Sequence, residues 1–282
     1  MQDADGIPSG AMTVRFWGVR GSVPVWAEAA RRSGGNTPCV EVRCGETVLI
    51  FDAGTGLNPA GLALEAEGIQ SCHLLFSHCH YDHIIGLPFF RPLYNPAAKL
   101  HFWSGHLDSS MTTQAMLHRF LEPPFLPGGI AENLARANCH DFQPGDQLDP
   151  VAGIVVNTAR LDHPGGAVGY RVSYGGKSLA YLTDVEHQPG VCDPDLIRLA
   201  AGADLLIYDS MLCDEEFAAR RGFGHSTWQQ GVKLMQQAGA ARLALFHHAP
   251  DRTDADLDRI EQAAAAIAPQ AFAAREGQVL KL

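Results

Sequence analysis

The sequence predicts an α/β (α+β) chain of two packed sheets flanked by helices. Short apolar runs with strand character recur in both halves of the 282 residues, and segments of helical spacing fall between and after them. No linker or low-complexity break divides the halves. A chain of this length buries a sizeable core, and 46% hydrophobic against 18% charged residues excludes a disordered one. The expected organisation is a tail over 1–11 and one domain over 12–282, with a lid or pocket insertion at 88–140.

Met12 to Phe16 reads as a first strand, closed by the glycine-punctuated loop Gly18-Val19-Arg20-Gly21-Ser22. Cys39 to Arg43 and Thr47 to Phe51 flank a Gly45-Glu46 turn and form a hairpin. A short helix around Pro59 to Glu67 leads to the apolar run Leu74-Leu75-Phe76. Residues 88 to 140 are the least regular, with six prolines from Pro88 to Pro127, many aromatics, and helical spacing over Met111 to Leu121. Strands return over Gly153 to Arg160, Gly169 to Tyr174, Ser178 to Leu182, Leu205 to Tyr208 and Arg242 to Phe246. Helical segments lie near Pro194 to Ala201, Thr227 to Ala238 and Asp254 to Ala266, before a final strand over Gln278 to Leu282.

The chemistry gathers at strand ends. Leu74 to Phe76 runs into Ser77-His78-Cys79-His80-Tyr81-Asp82-His83, a ligand-spaced cluster of imidazoles and a carboxylate suited to zinc, manganese or iron. Six positions are too few for four such side chains to surround one ion, so two adjacent divalent ions are expected. Strand alternation turns Cys79 away from His78 and His80, which makes it a non-ligand. Four more strands end in a candidate group: His163 after Ile154 to Arg160, Asp184 after Leu179 to Leu182, Asp209 after Leu205 to Tyr208, and His247-His248 after Leu243 to Phe246.

His-x-His-x-Asp-His after an apolar strand resembles the signature of the metallo-β-lactamase-fold hydrolases, and the resemblance extends over nearly the whole chain. It implies a four-layer αββα sandwich. It also implies that His78, His80 and His163 hold one ion, that Asp82, His83 and His247 hold the other, and that Asp184 bridges them. Pro250 selects His247 over His248, because the family places a proline three residues after that ligand. Asp52 corresponds to an aspartate beneath the metal loop that orients the histidines. Gly224-His225-Ser226-Thr227, just ahead of a helix, resembles the tRNase Z and phosphodiesterase branch. There His225 would act on the phosphate, partnered by Asp209 in place of the branch's more familiar Glu. His225, Asp209 and Asp82 are thus the implied catalytic set.

The implied activity is that of a dinuclear metal-dependent hydrolase, with zinc expected, acting as a phosphodiesterase on a small or cyclic phosphodiester. Ions about 3.5 Å apart would share a hydroxide and clamp the phosphoryl oxygens. The alternative on the same ligands is a lactone, ester or thioester hydrolase. A tRNA 3′-processing nuclease is disfavoured by the net charge of −10, which opposes a grip on nucleic acid. The 88–140 segment also has only Arg91, Lys99, Arg119 and Arg136 as basic residues. A non-catalytic metal-binding protein is disfavoured by the filled ligand set, and redox chemistry by the lack of a flavin domain. A small anionic substrate, no membrane partner, a cytoplasmic location and a homodimer complete the expectations. Seven scattered cysteines without a CxxC pair indicate neither a disulfide framework nor a thiolate site.

Overall fold

In the computed structural model, which describes residues 11–107, 110–126 and 131–282, strands alternate inward and outward to build two sheets. The expected tail, apart from Ala11, lies outside the described residues. Strands β1 (Met12–Gly18), β2 (Cys39–Cys44), β3 (Thr47–Phe51), β4 (Ser71–Phe76), β5 (Lys99–Ser104) and β6 (Asn138–Asp141) lie side by side in chain order. Strands β7 (Gln147–Val151), β8 (Ile154–Leu161), β9 (Ala167–Tyr174), β10 (Lys177–Leu182), β11 (Leu205–Asp209), β12 (Leu243–Phe246) and β13 (Ala271–Ala273) do the same in the second sheet. The terminal β14 (Val279–Lys281) returns to pair antiparallel with β1, so each sheet has seven strands.

Both halves make the same walk. Antiparallel ladders over β1–β3 and β7–β10 give way to parallel ladders over β3–β6 and β10–β13. Parallel neighbours need crossovers, and the crossovers put helices on the outer faces. The period of two then sorts the side chains. In β4, Leu75 faces the core between the sheets while Cys72, Leu74 and Phe76 face the outer helices; in β11, Leu205 and Ile207 face inward while Leu206 and Tyr208 face outward. Helices Leu57–Ala66 and Thr113–Phe120 cover the first sheet. Pro194–Ala200, Trp228–Ala238 and Asp254–Ile267 cover the second. The result is the αββα sandwich.

Helix boundaries are set locally. The Thr227 hydroxyl accepts the amide of Gln230 at 3.1 Å, and Gly239, at φ 65°, ends that helix in the left-handed conformation that glycine adopts freely. The segment 88–140 contributes β5 and β6 to the first sheet, along with a helix that buries Met116 and Leu117 beneath it. Those strands, together with β7 and β13, were not evident from the sequence. Sheet pairing supplies what the local pattern lacks: β6 and β13 are short and lie parallel to their neighbours, and β7 contains Pro150, tolerated at an irregular edge.

One buried cation ties the N-terminal loop to the end of β12. The guanidinium of Arg20, fully buried, donates to the carbonyls of Gly34 (2.8 Å) and Arg252 (2.8 Å) and to the Ser33 hydroxyl (2.7 Å). The backbone adds Gly21 N–H to the His248 carbonyl and His248 N–H to the Val19 carbonyl, each at 2.9 Å. Replacing Arg20 by Met leaves those acceptors buried without a donor. The expected cost is about 3 kcal/mol in urea unfolding; an unchanged midpoint would remove Arg20 from this role.

Candidate metal centre and active site

The parallel strands end at one edge of the sandwich, and the predicted site residues meet there. Three of them stand in the left-handed conformation within two residues of a strand end: Asp52 at φ 60° directly after β3, Asp184 at φ 56° two residues after β10, and His247 at φ 61° directly after β12. That conformation is uncommon for residues other than glycine and recurs at functional sites. It re-aims each side chain at a point where the strand would otherwise continue straight.

Asp52 holds the imidazole cluster from beneath. Its carboxylate, fully buried, accepts the Ser77 amide (2.7 Å), the Ser77 hydroxyl (2.8 Å) and the Tyr181 hydroxyl (2.7 Å), and it lies 2.9 Å from His83 Nδ1. A carboxylate only accepts, so Nδ1 carries the proton and Nε2 of His83 is turned into the site. Ser77 Oγ also stands 3.0 Å from His78 Nδ1, which leaves His78 Nε2 facing inward.

Two trios of ligand atoms result. His78, His80 and His163 form one, with His163 Nε2 3.1 Å from His80 Nδ1. Asp82, His83 and His247 form the other, with Asp82 Oδ2 3.3 Å from both His83 Nε2 and His247 Nε2. Asp184 lies between them. Its Oδ1 is 3.9 Å from His78 Nε2 and 3.8 Å from His163 Nε2, while its Oδ2 is 3.2 Å from His83 Nε2 and 3.3 Å from His247 Nε2. Backbone and hydroxyl donors steady the acids: Ser22 N–H reaches Asp82 Oδ2 at 2.7 Å and Thr183 Oγ1 reaches Asp184 Oδ2 at 2.7 Å.

These residues fit a metal. Ligand atoms about 2.0–2.2 Å from a common tetrahedral ion stand roughly 3.3 Å from one another, the spacing of the second trio. His78 Nε2 is buried with no hydrogen-bond partner among the described residues, a position whose desolvation cost a cation would offset. In the metal-free protein the electrostatics differ between the two trios. Burial holds His78, His80 and His163 below the ordinary imidazole range, so they present neutral ligand nitrogens. Burial also opposes charge on His83, Asp82 and Asp184, yet their mutual attraction prevails: the carboxylates of Asp184, Asp82 and Asp52 raise His83, while the imidazoles of His83 and His247 lower Asp82 and Asp184.

Geometry distinguishes the paired histidines. His247 points into the second trio, whereas His248 Nε2 donates to the Ala274 carbonyl at 2.9 Å and burial lowers its pKa to about 3. Among the described residues Cys79 joins none of the ligand groups; it packs against the core under the first sheet.

His225 and the fully buried Asp209 form a pair that adjoins the ligand cluster, with His225 Nδ1 3.8 Å from Asp184 Oδ1 and both residues grouped with Asp184 and His247. His225 Nδ1 donates to Asp209 Oδ2 at 2.9 Å, so the shorter acid reaches its partner. The other carboxylate oxygen of Asp209 accepts the Met211 amide at 3.0 Å. The His225 ring stands 5.1 Å from that of His247 and 5.6 Å from that of His163, centroid to centroid, and its side chain retains 12% exposure.

Residues 47–248 match a family model described as a β-lactamase superfamily domain. The chain belongs to the metallo-β-lactamase superfamily. Ribonuclease Z of Haloferax volcanii is 26% identical to it over 313 residues, spanning 96% of this chain and 95% of that protein. Among solved structures, the metallo-β-lactamase fold protein YhfI from Bacillus subtilis is similar at TM-score 0.74 and 19% identity, covering 97% of this chain and 100% of that one. A diphosphatase from the PhnP family is similar at TM-score 0.72 and 18% identity, covering 96% and 97%. On this superfamily fold the buried His/Asp cluster is that of a metal-dependent hydrolase.

Sequence reasoning missed several supports of this superfamily site. Glu186, two residues past Asp184, accepts the amides of Gly222 (2.7 Å) and Gly224 (3.0 Å), and the Gly224 carbonyl in turn accepts from His163 Nδ1 at 2.8 Å. Tyr181 and Ser22 were likewise unmarked. A tyrosine in a strand and a serine in a loop carry no local signal of the carboxylates they meet.

Two outcomes test the centre. Asp184→Ala is expected to lose bound metal, measured as metal content per chain; retention of the wild-type content would contradict its place between the trios. In the metal-free protein burial alone would lower the His225 pKa, but the Asp209 carboxylate dominates and raises it from 6.5 to about 9. A raised folded-state value stabilises fully below pH 6.5, and that contribution is lost as pH rises through about 9. Proton NMR should find this titration, and Asp209→Asn should lower it. A value at or below 6.5 in the parent protein would contradict the pairing.

Proposed function

We propose that this chain is a dinuclear metal phosphodiesterase, zinc being the expected metal, acting on a small anionic phosphodiester. The observation that carries the reading is the His225–Asp209 pair at 2.9 Å, set beside two ligand trios with Asp184 between them. The likeness to a ribonuclease Z over 96% of the chain supports phosphodiester chemistry. The net charge of −10 favours a small substrate over a long nucleic acid, whose phosphates such a surface repels.

Ions bound at the trios would supply positive charge to the phosphoryl oxygens and acidify the attacking water. The chain's own residues do the rest. Asp184, one oxygen toward each trio, fixes their spacing; Asp52 and Ser77 hold His83 and His78 in the ligand orientation. Asp209 keeps the Nδ1 proton of His225, which leaves Nε2, making no hydrogen bond with the described residues, to give a proton to the departing oxygen. The same carboxylate stabilises the positive charge on the ring before that transfer.

His225→Ala is expected to leave the metal content intact while lowering turnover of bis(p-nitrophenyl) phosphate by roughly 10²-fold or more. The parent enzyme should hydrolyse that diester or cyclic nucleotides and leave lactone, thioester and β-lactam substrates untouched. Turnover confined to the acyl substrates, or full diester activity without His225, would overturn the assignment.

A further inference from the structure

We propose that Phe223 and Tyr81 form an aromatic slot at the mouth of the site that takes a flat ring, a nucleobase or aryl group, carried by the phosphodiester. This rests on the phosphodiesterase reading and narrows its substrate class. Phe223 is 66% exposed and Tyr81 76% exposed. Neither ring stacks on another aromatic among the described residues. An isolated exposed apolar residue needs no explanation, but two aromatics beside one set of ligands do.

The loop carrying Phe223 is held rather than loose. Glu186 accepts the amide on each side of it, Gly222 at 2.7 Å and Gly224 at 3.0 Å, and both glycines take φ values, 86° and 83°, that favour glycine. Gly224 has no room for a side chain: a Cβ there would stand 2.2 Å from His163 Nδ1 and 2.4 Å from Pro164 Cδ. Phe223 is therefore displayed one residue, about 3.8 Å of chain, from backbone in contact with His163, and two residues from His225.

Tyr81 comes from a different segment of the chain. It follows His80, whose Nδ1 is 3.1 Å from His163 Nε2, and it begins a short helix whose next two residues, Asp82 and His83, are buried. With those side chains turned inward, Tyr81 is left on the solvent side of the ligand-bearing turn. Both aromatics thus border the His80–His163 end of the site, where His225 also stands. Aromatic faces recognise any flat ring by stacking, so the slot selects a ring over an alkyl group without specifying which ring.

The test uses the metal-loaded enzyme with two diesters that share a leaving group, phenyl p-nitrophenyl phosphate and methyl p-nitrophenyl phosphate. Calorimetric binding of phenylphosphonate and methylphosphonate is measured alongside. Expected is a phenyl-to-methyl ratio of about tenfold in kcat/KM and in affinity, reduced to within about twofold by Phe223→Ala. Glu186→Gln keeps an acceptor for the two amides and should keep the ratio, whereas Glu186→Ala should lose it. A ratio near one in the parent enzyme, or one that survives both Phe223→Ala and Tyr81→Ala, overturns the slot and leaves the phosphodiesterase reading standing. Absence of diester turnover with a Phe223-dependent preference for phenylphosphonate has the opposite meaning: the slot holds and the phosphodiesterase reading falls. If Phe223→Ala changes only the oligomeric mass, the exposed ring is a contact between copies, and the slot is overturned.

Discussion

The constraint on which the site depends is the buried carboxylate of Asp52. It sits past the end of β3 in the first sheet and accepts the Tyr181 hydroxyl from β10 in the second, so it fixes the two sheets to each other at the edge where the ligands gather. The same carboxylate takes the Ser77 amide and hydroxyl and orients His83. A charge without such partners would be costly in this interior; surrounded by donors, it defines the orientation of everything above it. Fold and site share this one group.

Around it the chain repeats one device. Parallel strands deliver their last residues to a common edge, and a left-handed residue at the exit turns a ligand or its support inward, as at Asp52, Asp184 and His247. Strain of that kind persists only where the surroundings over-determine it. Here the adjoining contacts do so: Thr183 on Asp184, and the backbone pairing of Val19 and Gly21 with His248 beside His247. The His225 loop is fastened separately, through Glu186 and the Gly224 carbonyl, to the segments bearing Asp184 and His163. The candidate ligands and the His225–Asp209 pair are thereby held in one frame without being adjacent in sequence.

The sequence by itself determined the layered fold and most strands and helices, because apolar periodicity is a local pattern, and the family resemblance carried by His-x-His-x-Asp-His implied the candidate ligands. It also marked Asp52, His225 and Asp209 through their motifs. Tertiary structure decided what depends on pairing between distant segments. The short parallel strands β6 and β13 exist because a neighbour supplies their hydrogen bonds. His247 rather than His248 faces the cluster because its φ of 61° turns it inward, while Ala274 accepts the proton of its neighbour. Asp209 reaches His225 despite being shorter than Glu because β11 carries it within 2.9 Å. Tyr181, Ser22 and Glu186 gained roles that no stretch of sequence around them announces. A hydrogen bond across 129 residues, such as Tyr181 to Asp52, is a property of two strands brought together, and only the packed sheets bring them together.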